Sequence, residues 1–200
     1  MATDQARLLA LARQRSVVTT QDAYRAGIHS QQITRLVADG VLDRIARGQY
    51  RLAERPVTEH QALVVAARAV PRGVICLLSA LGFHGIGTQL PSDVWIALER
   101  GARTPVVPQL PLRVVHFTGA AFMEGIEQHR IEGQTVRIYS VAKTLADLFK
   151  QRNRIGLDVA IEALKDAWQH RQFTMEDLDR AARVCRVERV MRPYVEAVVS

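Results

Sequence analysis

The sequence predicts an α+β protein with two domains, residues 1–55 and residues 58–200. Helical patterns and one hairpin pattern occupy the first fifty residues, whereas strand alternation followed by helical periodicity occupies the later part. Between them, residues 53–56 break both patterns, because Pro56 disfavours helix in the residue before it. The chain of 200 residues is long enough to give each domain a hydrophobic core. The second domain should combine a small sheet with a helical C-terminal part.

Two helices and a turn begin the first domain. Residues 3–15 have an amphipathic pattern and should form the first helix. Thr19 and Thr20 are favourable N-cap residues for a short second helix, and Asp22 in its first turn complements the helix dipole. Gly27 then supplies the turn that leads to the next helix.

A third helix follows the turn. Ser30 is positioned to cap it, and Gly40 ends it. Ile33, Leu36 and Val37 fall at the spacing of a buried stripe, so the opposite face should meet solvent.

A hairpin pattern completes the domain. Residues 41–45 and 49–52 alternate in polarity, and the connecting residues 46–48 read as a tight turn. Two helices joined by a turn and followed by a hairpin are typical of a winged helix-turn-helix, in which one helix enters a DNA groove.

The exposed side chains of this module are suited to DNA. Glutamine, threonine and arginine bond base edges and phosphates, whereas a merely solvated helix face normally mixes in glutamate and lysine. The base-edge candidates on the third helix are Ser30, Gln31, Gln32, Thr34 and Arg35. The candidates for phosphate or minor-groove contact on the hairpin are Arg44, Arg47 and Arg51. A protein-interaction module or a plain three-helix core is the alternative interpretation.

Strands and helices alternate in the second domain. A capping-box spacing at residues 58–61 predicts a helix start, and the apolar residues 74–83 predict a buried helix. Four strands are then predicted, of which the last two should form a hairpin through residues 132–134. They span residues 94–98, 112–117, 126–131 and 136–139.

The C-terminal part has helical periodicity throughout. Ser140, Asp158 and Thr174 each precede or begin a helical pattern. Pro193 is expected in the first turn of a fourth helix, where its missing N–H costs nothing.

Composition sets limits on function. The net charge is +7 and the isoelectric point is near 10.1, which favours an anionic partner. Only three residues are lysines, and a preference for arginine is also typical of proteins from GC-rich genomes, so the charge supports nucleic-acid binding only weakly. Cys76 and Cys185 form no disulfide or metal pattern. Neither a signal peptide nor a membrane helix is predicted, so we expect a cytoplasmic protein.

Catalytic patterns are absent from the sequence. The six histidines form no HxxxH or HExxH pair, and neither a P-loop nor a G-x-S-x-G elbow occurs. We therefore predict no catalytic residue, no metal site and no cofactor. Within Ser79–Gly85, a histidine satisfied at a helix end is a better interpretation of His84 than a ligand or base.

Charged residues in the second domain leave alternatives open. Lys143 and Asp147 have the spacing of an exposed ion pair worth a few tenths of a kcal/mol, but they could belong to a partner surface. The basic run at residues 150–154 favours a solvated helix end, with a second DNA backbone contact as the alternative.

Several blocks of the second domain resemble the AbiEi-type antitoxins of bacterial type IV toxin–antitoxin systems. In chain order they are LLSALGFHGIGTQLP, VWIAL, LRVVHFTG and IEGQTVRIYSVAKTLADLFKQRNRIGLDVAIEAL. Together with the N-terminal module, the likeness extends over nearly the whole chain.

This resemblance implies a transcriptional autorepressor that binds operator repeats in its own promoter. It also implies an antitoxin that counters a nucleotidyltransferase-like toxin without forming a stable complex with it. Two other functions stay open: a plain transcription factor whose C-terminal domain senses a small molecule near the proline-rich residues 101–111, and a DNA-targeted nuclease or phosphotransfer enzyme. An enzyme of that kind needs convergent carboxylates for Mg²⁺, and the predicted sheet has few: Glu99, Glu124 and Glu127.

Overall fold

The computed structural model describes residues 4–15, 17–54, 59–107 and 110–199. The chain divides into two compact units. The first unit comprises Met1–Pro71, Pro105–Pro111 and Arg130–Val136, and the second comprises Arg72–Thr104, Leu112–His129 and Arg137–Ser200. Residues 55 and 56 of the expected linker and Thr58 of the expected capping box lie outside the described residues. Independent domains at 1–55 and 58–200 stay a prediction.

The first unit begins with α1 (Asp4–Gln14), β1 (Val18–Thr19), α2 (Thr20–Arg25) and α3 (Ser30–Ala38). It continues with the hairpin β2 (Leu42–Ala46) and β3 (Gln49–Leu52), and with α4 (Gln61–Ala69). The three strands form an antiparallel sheet in the order β1-β3-β2. Apolar residues from α1, α2, α3, the turn between α2 and α3, and the sheet form its core: Leu8, Ala12, Val18, Ala23, Ile28, Ile33, Leu36, Leu42 and Leu52.

Two local predictions for this unit were wrong, and one short strand was not predicted. Ser30 is the first helical residue of α3 and not its cap, because His29 already takes the extended backbone of the N-cap position, without a side-chain cap bond. Ala46 belongs to β2, so the wing turn is only Arg47–Gly48, with Gly48 at φ +68°. Strand β1 was missed, because two residues are too few to show alternation.

A five-stranded sheet contains the remaining strands, in the order β6-β5-β4-β8-β7. Its strands and the two helices between them are, in chain order, β4 (Val74–Ile75), α5 (Leu77–His84), β5 (Val94–Glu99), β6 (Leu112–Phe117), α6 (Ala120–Met123), β7 (Ile126–Ile131) and β8 (Gln134–Tyr139). Strand β4 pairs antiparallel with β5 and parallel with β8, while β5 and β6 are parallel. The α+β class predicted from the sequence is confirmed.

The helical part follows β8. It consists of α7 (Val141–Lys150), α8 (Arg152–Ile155), α9 (Leu157–Gln169), α10 (Met175–Cys185) and α11 (Glu188–Val199). Ser140 and Thr174 cap α7 and α10, since their hydroxyls accept from the amides of Lys143 and Asp177.

Two predictions for the elements after α4 were wrong. The apolar residues 74–83 were expected to form one helix, but Val74 and Ile75 form the central strand β4 and the helix begins at Leu77. An apolar run without polar interruption does not distinguish a buried strand from a buried helix. Pro193 lies inside α11 and not in its first turn, because the helix begins at Glu188.

A candidate DNA-binding surface

The start of α2 is fixed by a reciprocal cap. The hydroxyl of Thr19 accepts from the backbone N–H of Asp22 at 3.0 Å, and the carboxylate of Asp22 accepts from the backbone N–H of Thr19 at 2.9 Å. This arrangement satisfies two of the amides that a helix leaves unpaired at its N-terminus. The predicted N-cap is thereby confirmed at Thr19.

Two arginines converge on the same carboxylate. Arg15 lies 2.8 Å from Asp22, and Arg68 on α4 donates to its second oxygen. Burial alone would raise the pKa of Asp22, but hydrogen bonds from Thr19 and Arg68 and the charge of Arg68 lower it to about 2. Asp22 therefore joins three segments of the first unit through one ionised group.

The turn between α2 and α3 is equally defined. Gly27 has φ +71°, and the amide of Ile28 donates to the carbonyl of Ala23 at 2.9 Å. Only glycine adopts this backbone readily. The turn fixes the direction in which α3 leaves α2.

Four of the five side chains predicted to contact bases are exposed on α3. Ser30, Gln31, Thr34 and Arg35 are exposed, and Gln32 is half-buried. The hydroxyl of Thr34 donates to the carbonyl of Ser30 at 3.3 Å. Arg35 is near Asp39, at 4.0 Å. The exposed face of α3 thus presents amides, hydroxyls and one weakly paired guanidinium.

The three wing arginines have different surroundings. Arg44 and Arg47 are exposed. Arg51 has a side chain only 17% exposed, because it pairs with Asp43 at 3.1 Å and donates to Gln61 at 3.3 Å. Arg51 therefore joins β3 to β2 and α4, whereas the other two keep their donors toward solvent.

Ion pairing leaves the module with an excess of free positive charge. Residues 4–52 contain eight arginines, four aspartates, no lysine and no glutamate. Each of those aspartates pairs with an arginine. Among the described residues, the arginines of residues 4–52 whose side chains form neither an ion pair nor a hydrogen bond are Arg13, Arg25, Arg44 and Arg47.

Sequence reasoning missed three exposed residues near the helix-turn-helix. Tyr24 on α2 is 80% exposed, and Arg25 and His29 beside the turn are also exposed. A tyrosine hydroxyl and a guanidinium are both phosphate donors. The sequence could have indicated Tyr24, because a large aromatic residue outside the buried stripe of a short helix has no role in packing the core.

The second unit contains a buried charge pair where an exposed pair or a partner surface was expected. Lys143 Nζ and Asp147 Oδ2 are 2.5 Å apart, and each side chain is 1% exposed. The ammonium also lies over the ring of Tyr139, at 4.1 Å, and the thiol of Cys185 donates to the other oxygen of Asp147 at 3.2 Å. Burial raises the pKa of Asp147, although Lys143 opposes this. Both interpretations of this pair were wrong, because α7 is buried on nearly every side.

His84 is a satisfied histidine at a helix end, as expected. It is the last residue of α5, and its Nε2 lies 2.8 Å from the carbonyl oxygen of Tyr139. Burial lowers its pKa. His129 lies nearby and contacts Glu127 at 2.9 Å, and all three line a pocket of about 400 Å³. Within the described ranges, no three histidines, cysteines or acids are grouped so as to hold a metal ion.

The basic run after α7 makes contacts within its own unit. Arg152 donates to the carbonyl of Phe149 at 3.0 Å, and Arg154 lies over the ring of the buried Trp95 at 4.9 Å. These contacts agree with a helix end more than with a second DNA contact.

Comparisons with known proteins agree with the module at the N-terminus. Residues 6–53 match a family model described as "Transcriptional regulator, AbiEi antitoxin". The family resemblance inferred from the sequence is therefore confirmed for the N-terminal module, which supports a DNA-binding regulator role. The resemblance of the later sequence blocks stays a prediction.

One solved structure supports the fold over most of the chain. It is a crystal structure of the RV2827C protein from Mycobacterium tuberculosis, with 18% identity and a TM-score of 0.63, covering 92% of this chain and 72% of that one. At this identity the likeness concerns the fold alone. No curated protein matches the sequence. In the part of the chain that the structure describes, the helices are too short or too polar to cross a membrane.

Proposed function

We propose that this chain, whose residues 6–53 match the family model of AbiEi antitoxin transcriptional regulators, represses its own operon by binding repeated operator sequences. Helix α3 enters the major groove, as the second helix of a helix-turn-helix does. Its base-edge contacts come from Ser30, Gln31, Gln32, Thr34 and Arg35.

The uneven pairing of charge is the observation that carries this proposal. The aspartates of residues 4–52 all have arginine partners, whereas Arg25, Arg44 and Arg47 have none among the described residues. An unpaired guanidinium is available to a phosphate without first breaking an internal contact. Arg44 and Arg47 therefore supply sequence-independent affinity from the wing. Arg51 acts by holding the wing on α4.

The wing should contribute sequence-independent affinity and α3 sequence preference, and one variant in each tests this difference. Arg47→Ala should weaken binding to every duplex and lower the slope of log K against log salt by about 0.9, the loss of one phosphate contact. Gln32→Ala should change the preference among operator variants and leave the salt slope unaltered. Fluorescence anisotropy compares the DNA upstream of the chain's own gene with a scrambled duplex over a range of salt concentrations.

An arginine of the second unit is the matched control. Arg189 is exposed, and Arg189→Ala removes the same charge from the whole protein. It should leave both the affinity and the salt slope within error. Equal losses for Arg47→Ala and Arg189→Ala, or equal losses on specific and scrambled DNA for Gln32→Ala, would contradict the proposal.

We propose further that the chain counters a nucleotidyltransferase-like toxin without binding it stably. The support is the antitoxin description of the matching family and the sequence blocks after residue 77. If a nucleotidyltransferase-like protein encoded beside this chain inhibits growth, co-expression of the chain should restore growth. Affinity capture of the chain should not retain the nucleotidyltransferase-like protein.

The two parts of the proposal can be separated in one chain. The double substitution Arg44→Ala with Arg47→Ala should abolish repression of a promoter reporter but still rescue growth. Loss of both activities together would show that the antitoxin effect depends on DNA binding. Absence of rescue by the natural chain would refute the antitoxin role while leaving the repressor role intact.

A further inference from the structure

The hairpin of β7 and β8 contributes its turn to the first unit. Residues 130–136 are grouped with the helix-turn-helix, although they come much later in the chain. In the turn, Gly133 has φ +77°, and a Cβ atom there would lie 3.1 Å from the carbonyl oxygen of Gln14 at the end of α1. Glycine tolerates this backbone and allows so close an approach. The hairpin turn therefore lies directly against α1.

The side chain of Gln134, the first residue of β8, makes two hydrogen bonds inside the first unit. Its Oε1 accepts from a terminal nitrogen of Arg68 on α4. Its Nε2 donates to the carbonyl oxygen of Val17 at 3.5 Å, just before β1. Both ends of one amide group are thus used to join the hairpin turn to α4 and to the segment that leads into α2.

Arg68 connects Gln134 to the start of α2. Its side chain is only 13% exposed, and its two terminal nitrogens donate to Asp22 and to Gln134. Among the described residues its Nε has no hydrogen-bond partner, so the bonds to Asp22 and Gln134 hold the guanidinium. A buried charged group needs such partners. Without the oxygen of Gln134, a further N–H of Arg68 would lack an acceptor, and the guanidinium would lose its fixed orientation on Asp22.

Asp22 in turn determines how the recognition helix is held. Its carboxylate closes the cap at the start of α2, and the turn at Gly27 sets the direction of α3 relative to α2. We propose that Gln134 is a positioning residue for DNA recognition, which keeps Arg68 on Asp22 and so fixes the orientation of α3. Gln134 itself does not touch the DNA. The inference rests on the proposed function, in which α3 reads base edges.

The leucine variant of Gln134 tests the positioning role. Gln134→Leu removes both polar atoms and keeps a side chain of similar size. Hydrogen bonds to base edges weaken steeply when their angles change, so affinity for the upstream duplex should fall about tenfold, the equivalent of one base-edge contact. Affinity for a scrambled duplex and the salt slope should stay unchanged, because Arg44 and Arg47 of the wing are unaltered. Fluorescence anisotropy measures both duplexes at a temperature at which circular dichroism shows every variant folded.

Two further glutamine variants give the controls. Gln134→Glu keeps an oxygen that accepts from Arg68, so it should retain most of the specific affinity. Gln128→Leu makes the same change at an exposed glutamine of β7 and should have no effect on DNA binding. Equal losses on the upstream and scrambled duplexes, or equal losses for the leucine and glutamate variants of Gln134, would overturn the positioning role. If Gln134→Leu does not fold, Gln134→Ala, which leaves room for water beside Arg68, should show the same selective loss.

The connection from Gln134 to Asp22 can also be measured without DNA. The hydrogen bond and charge of Arg68 help to lower the pKa of Asp22 to about 2. In Gln134→Leu this pKa should rise toward the ordinary value of 3.8, whereas Gln128→Leu should leave it unchanged. An NMR titration of the Asp22 carboxyl carbon measures it, and an unchanged pKa in Gln134→Leu would overturn the inference. A natural chain that does not bind the upstream duplex would refute the proposed function instead, and the shift at Asp22 would still establish the internal connection.

Discussion

Two ion pairs of this protein have the same spacing in sequence and opposite surroundings in the structure. Arg35 and Asp39 on α3 are four residues apart, as are Lys143 and Asp147 on α7. The first pair is separated by 4.0 Å with side chains 78% and 54% exposed, and the second by 2.5 Å with both side chains 1% exposed. One pair is solvated at the candidate DNA surface, and the other is inside the core.

The neighbours of each helix explain the difference. Only Ile33 and Leu36 of α3 are buried, so one face of that helix meets the core and the rest meets solvent. Helix α7 packs against α5, α9 and α10, and Ala142 to Phe149 are all buried. Charges removed from water require close partners, and Lys143 has them in Asp147 and two aromatic rings. The comparison shows that charge spacing alone predicts neither the burial nor the strength of an ion pair.

The largest expected effect comes from removing one partner of the buried pair. Lys143→Met leaves Asp147 with an uncompensated charge in the core, so the free energy of unfolding should fall by about 3–5 kcal/mol. The double variant Lys143→Met with Asp147→Leu should lose less than the single one, because no unpaired charge is left. Urea denaturation at neutral pH measures both.

The pH dependence separates this charge effect from a packing effect. In Lys143→Met, burial without the cation raises the folded-state pKa of Asp147 above its unfolded value. Protonated Asp147 then stabilises the folded variant fully below the pKa that it has in the unfolded chain. This contribution to the free energy of unfolding is lost as the pH rises through the higher pKa of the folded state. The single variant should therefore recover stability on acidification, and the double variant should not. The same loss in both variants at every pH would contradict the buried-charge explanation.

A smaller loss is expected from Asp22→Asn. Because the folded-state pKa of Asp22 is about 2, below the ordinary value of 3.8, the ionised group contributes about 2 kcal/mol to stability. This contribution is present above pH 3.8 and lost as the pH falls through 2. Asparagine keeps the helix cap but cannot pair with Arg15 and Arg68. Thermal unfolding at pH 7 and at low pH should show that the difference between the two proteins vanishes in acid.

An Asp22→Asn variant as stable as the natural protein at pH 7 would contradict a stabilising role for the ionised carboxylate. Asp4→Asn is the matched control, since Asp4 also pairs with an arginine but both side chains are more than one third exposed. Its effect should be close to zero.

Features that depend on residues close together in the sequence could be predicted, whereas features that depend on distant residues could not. The N-caps at Thr19, Ser140 and Thr174 were predictable, because short side-chain oxygens before a helical pattern act within three residues. The strand at Val74–Ile75 was not, because its formation depends on pairing with β5 and β8, which are distant in sequence. The exposure of Ser30, Gln31, Thr34 and Arg35 followed from helical periodicity.

The pairing of Arg51 could not be predicted in the same way. Its carboxylate partner Asp43 lies on β2 and its amide partner Gln61 on α4, so the contact depends on the register of the hairpin and on where α4 packs. A pocket lined by Gln49 on β3, Arg68 on α4 and residues 105–107 is likewise built from segments far apart in the chain. Long-range packing, which short sequence patterns do not encode, decides which arginines stay free.

The smallest expected effect is at the exposed pair. Asp39→Asn removes a carboxylate near Arg35 and should change the free energy of unfolding by less than about 0.5 kcal/mol, since solvent-exposed pairs contribute little. Removing the carboxylate of an i, i+4 pair should therefore hardly change stability on α3, whereas the corresponding change at Asp147 should lower it.

Asp39→Asn should instead affect DNA binding, because the variant frees Arg35 and removes a negative charge that repels phosphate. Affinity for the upstream duplex should rise severalfold at low salt, with the gain declining as salt screens the charges. Asp4→Asn, which removes the same charge from α1, shows how much of the gain is due to net charge alone. A gain no larger than that of the control would mean that α3 does not face the DNA.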